Sequence, residues 1–252
     1  MSYEKKKQFF SSVLTIYGRK AVEEALLDNS LNIYKLHLAD SNKKAGIIEQ
    51  CIRLAEKRGI EVAWHDKRAL SFISKNAQQD QGIALDIQLD GLQDISELNT
   101  VKAKHVLLLD NVTNPQNLGM IIRSATAGFV DGLIIPRKGC AELGPLVIKA
   151  SAGSLFKSTI YRSETTQEAL KSLAGHYNIV GLSLDTDNTL QQYAFDQPTA
   201  FILGNESRGI SEQSKAFCQQ MVKIPMNNQV ESLNVAVTAA LIAFHPSLML
   251  GK

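Results

Sequence analysis

Two stretches decide the fold, FILGNESRGI (residues 201–210) and VKIPMNNQVESLNVAVTAALIAF (residues 222–244). In the first, an apolar run over residues 201–203 ends at Gly204, and turn-forming and polar residues follow at once. This change of composition predicts a buried strand that leads directly into a functional loop.

The second stretch predicts another strand and a helix. Its predicted strand, residues 222–224, stops at Pro225, and a polar loop then leads to the apolar segment 233–244. Either Ser232 or Asn234 can cap the helix predicted in that segment. Two strand ends and a helix N-terminus thus bring carbonyls, N–H groups, a carboxylate, a hydroxyl and amides together. We expect a polar pocket at the carboxyl edge of a parallel sheet, where open α/β folds bind ligands.

Composition limits the class of protein. The chain has 252 residues, of which 44% are apolar and 21% charged, as in globular proteins with one large or two smaller α/β domains. Lys and Arg balance Asp and Glu at 14 each in residues 1–100 and exceed them by 13 to 11 in residues 101–252. Neither part is a basic module, so a nucleic-acid partner would be held by local patches.

Cysteine use and hydropathy predict the compartment. Cys51, Cys140 and Cys218 are far apart and show no ligand spacing, which indicates a reducing compartment and neither a disulfide framework nor a metal site. No apolar run reaches membrane-spanning length, and the N-terminal residues MSYEKKKQFF lack the apolar core of a signal peptide. We therefore expect a cytoplasmic protein without a metal or a membrane partner.

The N-terminal part is predicted to be a basic arm followed by a small domain. Residues 1–13 carry three lysines and either touch RNA phosphates or form a solvated tail. Residues 14–90 show an αβαβαβ pattern. Its predicted helices span 18–28, 45–58 and 67–73, and its strands span 33–39, 61–64 and 82–88. Basic residues near the element ends either face a phosphate backbone or are ordinary solvated charges.

The remainder is predicted to be a linker and a parallel α/β domain. Residues 91–104 are polar and suit a linker or a short bridging helix. Residues 105–252 begin with an unalternated apolar run at 105–109, which is typical of a strand buried on both faces of a parallel sheet. Further strands are predicted at 132–135, 158–161 and 179–184. The absence of GxGxxG after the first strand and of a P-loop disfavours dinucleotide and nucleoside-triphosphate sites.

The helix after that first strand carries the second informative pattern. Asn114 and Pro115 form a helix start, with Asn as the cap and Pro at the first helical position. Gly119 and Arg123 lie off the apolar face, and the glycine leaves room for something to approach the helix backbone. Arg123 suits a phosphate or a ribose, or it is a surface arginine paired with an acid. The apolar face consists of Leu118, Ile121, Ile122, Ala125 and Phe129.

Three ordered motifs carry a family resemblance: DNVTNPQNLGMIIRSATAGF, ILGNESRGIS and IPMNNQVESLNVAVTAALIAF. Together with KASAGSLF, they resemble the SpoU (TrmH) family of RNA ribose 2′-O-methyltransferases. The segments YGRKAVEEALLDN and DQGIALDIQ are similar to the ribosomal-protein-L30e-like substrate domain of members that modify large-subunit ribosomal RNA. The resemblance implies an L30e-like α/β domain followed by a trefoil-knotted α/β (SPOUT) methyltransferase domain with a parallel sheet.

The resemblance also implies a cofactor and site residues. S-adenosylmethionine would be contacted at Leu203, Gly204, Ile224, Met226, Ser232 and Leu233, where Gly204 permits close approach. Arg123 matches the catalytic arginine of the family. The polar residues that shape the site would be Asn117, Glu206, Ser232 and Asn234. Arg123 is either the general base or a positioning cation, and Glu206 is the competing base.

The implied reaction is 2′-O-methylation of RNA, with a guanosine of 23S ribosomal RNA favoured by the L30e-like domain. The same reaction on transfer RNA is the first alternative. A non-catalytic RNA-binding or ribosome-assembly protein on the same fold is the second. The last helix is apolar nearly all round and must be covered on both sides, which together with the resemblance predicts a homodimer.

Overall fold

The protein is described by a computed structural model over residues 12–76, 78–100, 103–205, 208–228 and 230–249. The chain divides between Asp90 and Gly91 into two compact units, and the short segment Leu143–Pro145 groups with the first. Each unit has its own sheet.

The first unit is built around a four-stranded mixed sheet in the order β1-β4-β2-β3. Strand β4 runs antiparallel to β1 and β2, whereas β2 and β3 are parallel. The elements are β1 (Val13–Tyr17), α1 (Arg19–Leu27), β2 (Asn32–Ala39), α2 (Ile47–Lys57), β3 (Glu61–His65), α3 (Lys67–Ser74) and β4 (Ile83–Gln88).

Strand β1 was not predicted from the sequence. It is a five-residue strand, and its one neighbour in the sheet is β4, where Val13 lies opposite Gln88. Because its partner is distant in the chain, the local pattern gave no signal for the pairing. Val13 therefore belongs to the sheet rather than to the basic arm predicted for residues 1–13; residues 1–11 of that arm lie outside the described residues.

The second unit contains a seven-stranded, all-parallel sheet in the order β11-β9-β10-β6-β7-β8-β5. Its strands are β5 (Leu92–Asp94), β6 (His105–Leu109), β7 (Gly132–Pro136), β8 (Ile160–Ser163), β9 (Asn178–Leu182), β10 (Thr199–Leu203) and β11 (Gln220–Val222). Its helices are α4 (Pro115–Ala127), α5 (Pro145–Ala150), α6 (Thr166–Leu173), α7 (Glu212–Lys215) and α8 (Val235–Met249). Short 3-10 turns lie at Ile95–Thr100, Ser154–Lys157 and Leu190–Gln192.

The stretch 91–104, predicted as a linker or bridging helix, instead begins the second unit. Strand β5 pairs with β8 at the edge of the sheet, and Ile95 and Leu98 of the following 3-10 turn are buried in the core. The linker prediction was therefore wrong. A strand of three residues and a segment with few apolar residues are too short to show a hydrophobic periodicity.

The parallel core follows the apolar runs. Strand β6 lies between β10 and β7, and its Leu107–Leu109 segment is fully buried. Helix α8 packs against α4, where Phe129 N donates to Ala243 O over 2.7 Å. The predicted fold class, a small sheet domain followed by a parallel α/β domain, is confirmed. No helix in the described part of the chain is long and apolar enough to cross a membrane.

Candidate active site

A pocket of about 390 Å³ opens at the carboxyl ends of β9, β10 and β11. These strands are neighbours in the parallel sheet, so their ends meet at one edge. The loop before α8 and the first turns of that helix complete the wall. Its lining consists of Leu182, Ser183, Leu184, Leu203, Gly204, Asn205, Gly209, Ile210, Val222, Lys223, Ile224, Met226, Glu231, Ser232, Leu233, Val235 and Thr238.

All six residues predicted to contact a cofactor line this pocket. They come from three places in the chain, namely the end of β10, the segment after β11 and the loop before α8. Strand β11 itself ends at Val222, two residues before the predicted end, so Ile224 belongs to the loop. The six are Leu203, Gly204, Ile224, Met226, Ser232 and Leu233.

Gly204 is required by the packing of its own loop. A Cβ atom at this position would lie 2.1 Å from the carbonyl carbon of Gly209 and 2.3 Å from the backbone nitrogen of Ile210. Asn205 and Gly209 also exchange two backbone hydrogen bonds, of 2.8 and 3.0 Å. The sequence predicted that Gly204 lets a ligand come close. In the structure, Gly209 and Ile210 of the same loop come close to it.

The buried carboxylate of Asp110 ties two loops together. Asp110 follows β6 directly and is 1% exposed. Its Oδ2 accepts from Ser211 N over 2.9 Å, and its Oδ1 accepts from Asn111 Nδ2 over 2.8 Å. Asn205 Nδ2 donates to Asn111 O over 3.0 Å. Asn111 has a φ of +61°, a left-handed conformation that Asn adopts more readily than most residues. These hydrogen bonds fix the loop after β6 and the loop after β10 relative to each other.

Two of the predicted site residues touch. Asn234 Nδ2 donates to Asn117 Oδ1 over 3.0 Å, and Asn117 is only 6% exposed. Asn234 Oδ1 accepts from Ala236 N over 2.8 Å, so Asn234, one of the two predicted caps, satisfies the first turn of α8. Asn114 caps α4 as predicted, accepting from Gln116 N over 2.8 Å. The hydrogen bond between the two asparagines joins the starts of α4 and α8.

Arg123 lies on α4 with an exposed side chain and makes no hydrogen bond or ion pair within the described residues. The missing ion pair argues against the alternative of a surface arginine paired with an acid of that part of the chain. Gly119, one turn earlier, does not leave open space: its Cβ position lies 2.5 Å from Ala150 Cβ and 2.7 Å from Val147 O. The predicted close approach to the helix backbone at Gly119 is therefore confirmed, and helix α5 is the element that approaches.

Two predicted residues remain to be placed. Ser232 is exposed at the pocket wall. Glu206, with the next residue of its loop, lies outside the described residues.

The structure adds pocket residues that the sequence analysis missed. Ser183 and Leu184 follow β9, Lys223 follows β11, and Glu231 precedes Ser232. The parallel order of β9 and β10 would have identified the first pair, but strand order is not visible in a single sequence. Asp110 stood at a predicted strand end without an assigned role.

Lys223 and Glu231 are the charged side chains among the residues that line the pocket. Lys223 Nζ lies 3.6 Å from Oδ1 of the exposed Asp187. Burial raises the pKa of the Cys218 thiol, which packs against the core of the second unit, to about 11, so this group is neutral at physiological pH. Within the described ranges, no group of three or more His, Cys, Asp or Glu side chains could hold a metal ion.

Comparison with known proteins matches both units. Residues 104–244 match the family model described as the SpoU rRNA methylase family, and residues 15–90 match the model described as RNA 2′-O ribose methyltransferase substrate binding. A Staphylococcus saprophyticus protein assigned to the TrmH family of tRNA/rRNA methyltransferases is 31% identical over 237 residues, covering 92% of this chain and 94% of its own.

Two solved structures share the fold. The SpoU methyltransferase AviRb from Streptomyces viridochromogenes has a TM-score of 0.64 at 22% identity, covering 100% of this chain and 95% of its own. It has also been solved with AdoMet. An AdoMet-bound rRNA methyltransferase from Sinorhizobium meliloti has a TM-score of 0.65 at 22% identity, covering 98% of this chain and 91% of its own.

Proposed function

This chain belongs to the SpoU (TrmH) family of RNA methyltransferases, and on that premise we propose that it methylates a ribose 2′-hydroxyl of RNA with S-adenosylmethionine. The pocket carries this proposal, because it gathers from three separate chain segments the six residues that the family motifs predict for cofactor contact. The Asn117–Asn234 hydrogen bond places two further motif residues together.

The pocket fits the proposed cofactor in size and chemistry. Its volume of about 390 Å³ falls in the range of roughly 300 to 1,000 Å³ typical of small-molecule sites. Apolar side chains such as Leu203 and Ile224 would cover the adenine, and the backbone of the loops offers N–H and C=O groups. The positive charge of Lys223 would complement the carboxylate of the methionine part, and the negative charge of Glu231 would complement its amino group. S-adenosylmethionine supplies the methyl group on its sulfonium sulfur.

Arg123 is proposed to position the RNA rather than to remove a proton. An arginine side chain stays protonated in proteins, so it is poorly suited to accept a proton at neutral pH. A solvent-exposed guanidinium on a fixed helix can bind the phosphate next to the target ribose and stabilise the developing alkoxide. Holding the hydroxyl in line with the methyl carbon supplies several kcal/mol more. Glu206 remains the competing general base.

The proposed substrate is a guanosine of 23S ribosomal RNA. The first unit supports it, since residues 15–90 match a substrate-binding model and were predicted to be L30e-like. Transfer RNA is the alternative substrate. The name of the Staphylococcus saprophyticus relative includes both tRNA and rRNA, which leaves this alternative open. A non-catalytic role in ribosome assembly on the same fold is the remaining alternative; the position of Ser232 at the pocket wall and the Asn117–Asn234 hydrogen bond favour the enzyme.

We also propose a homodimer formed through α8, a trefoil knot in the second unit and a cytoplasmic location. Helix α8 packs on α4 with one side and exposes Val237, Leu241 and Phe244 on another. An exposed apolar stripe on an otherwise apolar helix fits a second subunit. Sedimentation of the purified protein tests the dimer, and a monomer at micromolar concentration would contradict it.

Methyl transfer from labelled S-adenosylmethionine tests the function. The acceptor is total RNA from cells that lack this protein, fractionated afterwards into ribosomal and transfer RNA. Label in the 23S fraction, in alkali-resistant 2′-O-methylated dinucleotides, is the expected result. Label in transfer RNA would support the proposed reaction but would show that transfer RNA, rather than 23S ribosomal RNA, is the substrate. Binding of the cofactor without label in any fraction favours the non-catalytic alternative.

A further inference from the structure

Among the described residues, one buried arginine outside the pocket has neither a side-chain hydrogen bond nor an ion pair. Arg162 lies in β8 with 8% of its surface exposed, and its Nη1 has no hydrogen-bond partner among the described residues. The guanidinium also forms no ion pair in that part of the chain. Buried charges are ordinarily paired, because desolvating an unpaired ion is costly. A buried guanidinium without a partner therefore calls for a functional explanation.

Arg162 remains a cation despite its burial. Burial lowers its pKa to about 10, and the neighbouring cation Arg137 acts in the same direction. Cys140, Glu142 and Glu164 have weaker, opposite effects. Glu164 already pairs with Arg137, at 3.2 Å between Oε1 and Nε. At neutral pH the guanidinium is protonated, so it carries a positive charge that an anion could neutralise.

Further cations lie at the same strand ends. Ile135 of β7 lies opposite Arg162, and the next turn is fixed by backbone hydrogen bonds from Arg137 N to Ser163 O and from Lys138 N to Glu164 O, of 2.8 and 3.1 Å. The backbone of Arg137 and Lys138 thus lies beside Ser163 and Glu164, just beyond Arg162 at the carboxyl ends of β7 and β8, and Arg137 is close enough to act on the charge of Arg162.

This edge is continuous with the active site. All strands of the sheet are parallel, so the ends of β7 and β8 share an edge with those of β6 and β10. The loop that follows Arg137 is held against the β6 loop, since Ala141 N donates to Val112 O over 2.9 Å. Val112 stands three residues before α4, the helix that carries Arg123. A strand of RNA that lies over the start of α4 can therefore extend along this edge.

We propose that Arg162, with Arg137 and Lys138, binds a backbone phosphate of the RNA substrate, one that is separate from the phosphate beside the target ribose. The inference rests on the proposed function. A planar guanidinium binds phosphate through two parallel hydrogen bonds, and Lys and Arg side chains beside it add charge. Phosphate contacts of this kind fix the register of a nucleic acid without reading its sequence. The cofactor does not fit here, because it carries no phosphate.

Thermal melting without RNA tests the unpaired charge. Arg162→Gln removes a buried cation that has no partner, so this variant is expected to melt at a higher temperature than the wild type. Inorganic phosphate should raise the melting temperature of the wild type, compared with sodium chloride of equal ionic strength, and should leave Arg162→Gln unchanged. A variant that melts lower would show that Arg162 stabilises the fold through an internal pair, and would overturn the proposal.

RNA binding tests the source of the phosphate. The probe is labelled total ribosomal RNA from cells lacking the protein, measured by filter binding over a series of salt concentrations. Arg162→Gln should bind about tenfold more weakly, with a salt slope shallower by about 0.7 to 0.9. Arg162→Lys should lie between the two, and S-adenosylmethionine affinity should stay at the wild-type value. Lys171→Gln, an equal charge change in the last turn of α6, is the matched control.

The outcomes separate this inference from the proposed function. Equal affinity and slope for the wild type and Arg162→Gln would overturn the inference while methyl transfer stands. A phosphate-dependent rise in melting temperature without any effect on RNA binding would assign the site to a free phosphorylated ligand and overturn the RNA proposal. If the wild type methylates no RNA, the proposed function fails, and the melting experiment still decides whether Arg162 binds phosphate.

Discussion

In the seven-stranded sheet every carboxyl end lies on one edge, whereas the mixed four-stranded sheet divides its strand ends between two edges. The pocket forms at the common edge of the parallel sheet. In the first unit, polar side chains are linked across neighbouring strands instead. Thr15 Oγ1 donates to Asp86 Oδ1 over 2.6 Å. His37 Nε2 lies 3.1 Å from Asp86 Oδ2, and His37 Nδ1 lies 3.0 Å from His65 Nε2.

Strand direction therefore determines where the functional residues lie. Loops that are distant in sequence meet when their strands run parallel, so residues from β9, β10 and β11 share one pocket. Antiparallel neighbours place their side chains opposite each other on a face, which builds ladders of hydrogen bonds. Catalysis is therefore expected to depend on the second unit, and the first unit is expected to contribute stability and RNA contacts.

Arg123→Ala should have the largest effect. We expect the turnover number to fall by about 10² to 10³, because the charge that would hold the phosphate and alkoxide is lost. Cofactor affinity, measured by calorimetry, should stay within about twofold, since Arg123 is not among the pocket residues. Arg123→Lys keeps the charge without the planar fork and should be intermediate. Wild-type turnover in the alanine variant would remove Arg123 from the mechanism.

Gly204→Ala should damage the pocket itself. The added Cβ would meet the Gly209 carbonyl carbon at 2.1 Å, so the loop after β10 must move. We expect the dissociation constant for S-adenosylmethionine to rise about tenfold or more and the free energy of unfolding to fall by about 1 to 3 kcal/mol. Gly144→Ala is the control, because no atom lies within 4 Å of its Cβ position. Unchanged affinity in Gly204→Ala would disconnect this loop from cofactor binding.

Asn234 allows its structural and functional roles to be separated. Asn234→Ala loses the helix cap and should lower the free energy of unfolding by about 1 kcal/mol. Asn234→Asp retains the Oδ1 cap but loses the donor to Asn117, so its stability should stay close to that of the wild type while turnover falls. Denaturant titration and turnover of both variants measure the two roles. Full activity in Asn234→Asp would show that the cap is the sole contribution.

The smallest effect concerns the pH dependence of the first unit. Burial, followed by the neighbouring His37, lowers the pKa of His65 below its usual 6.5. The folded unit thus binds fewer protons than the unfolded chain, and its stability should decline as the pH falls below about 6.5. Unfolding of this unit can be followed by the fluorescence of Trp64, the one tryptophan in the sequence. His65→Gln should melt with a weaker pH dependence, and an unchanged dependence would contradict the assignment.

The sequence predicted the parallel core because its strands are unalternated apolar runs that end at polar loops, as at 105–109 and 201–203. It missed β1 and β5, since short edge strands depend on partners far along the chain. The cap at Asn114 was predictable from two adjacent residues. The neighbours of Gly119 and Gly204 were not, because a glycine shows that something comes close without showing what it is.

A crystal structure of the protein with S-adenosylmethionine tests the central claim, that the common edge of β9, β10 and β11 forms the cofactor site. We predict density for the cofactor between the loop after β10, the segment around Ile224 and Met226, and the loop before α8. Density at another place on the molecule, with this pocket unchanged while calorimetry shows binding, would contradict it.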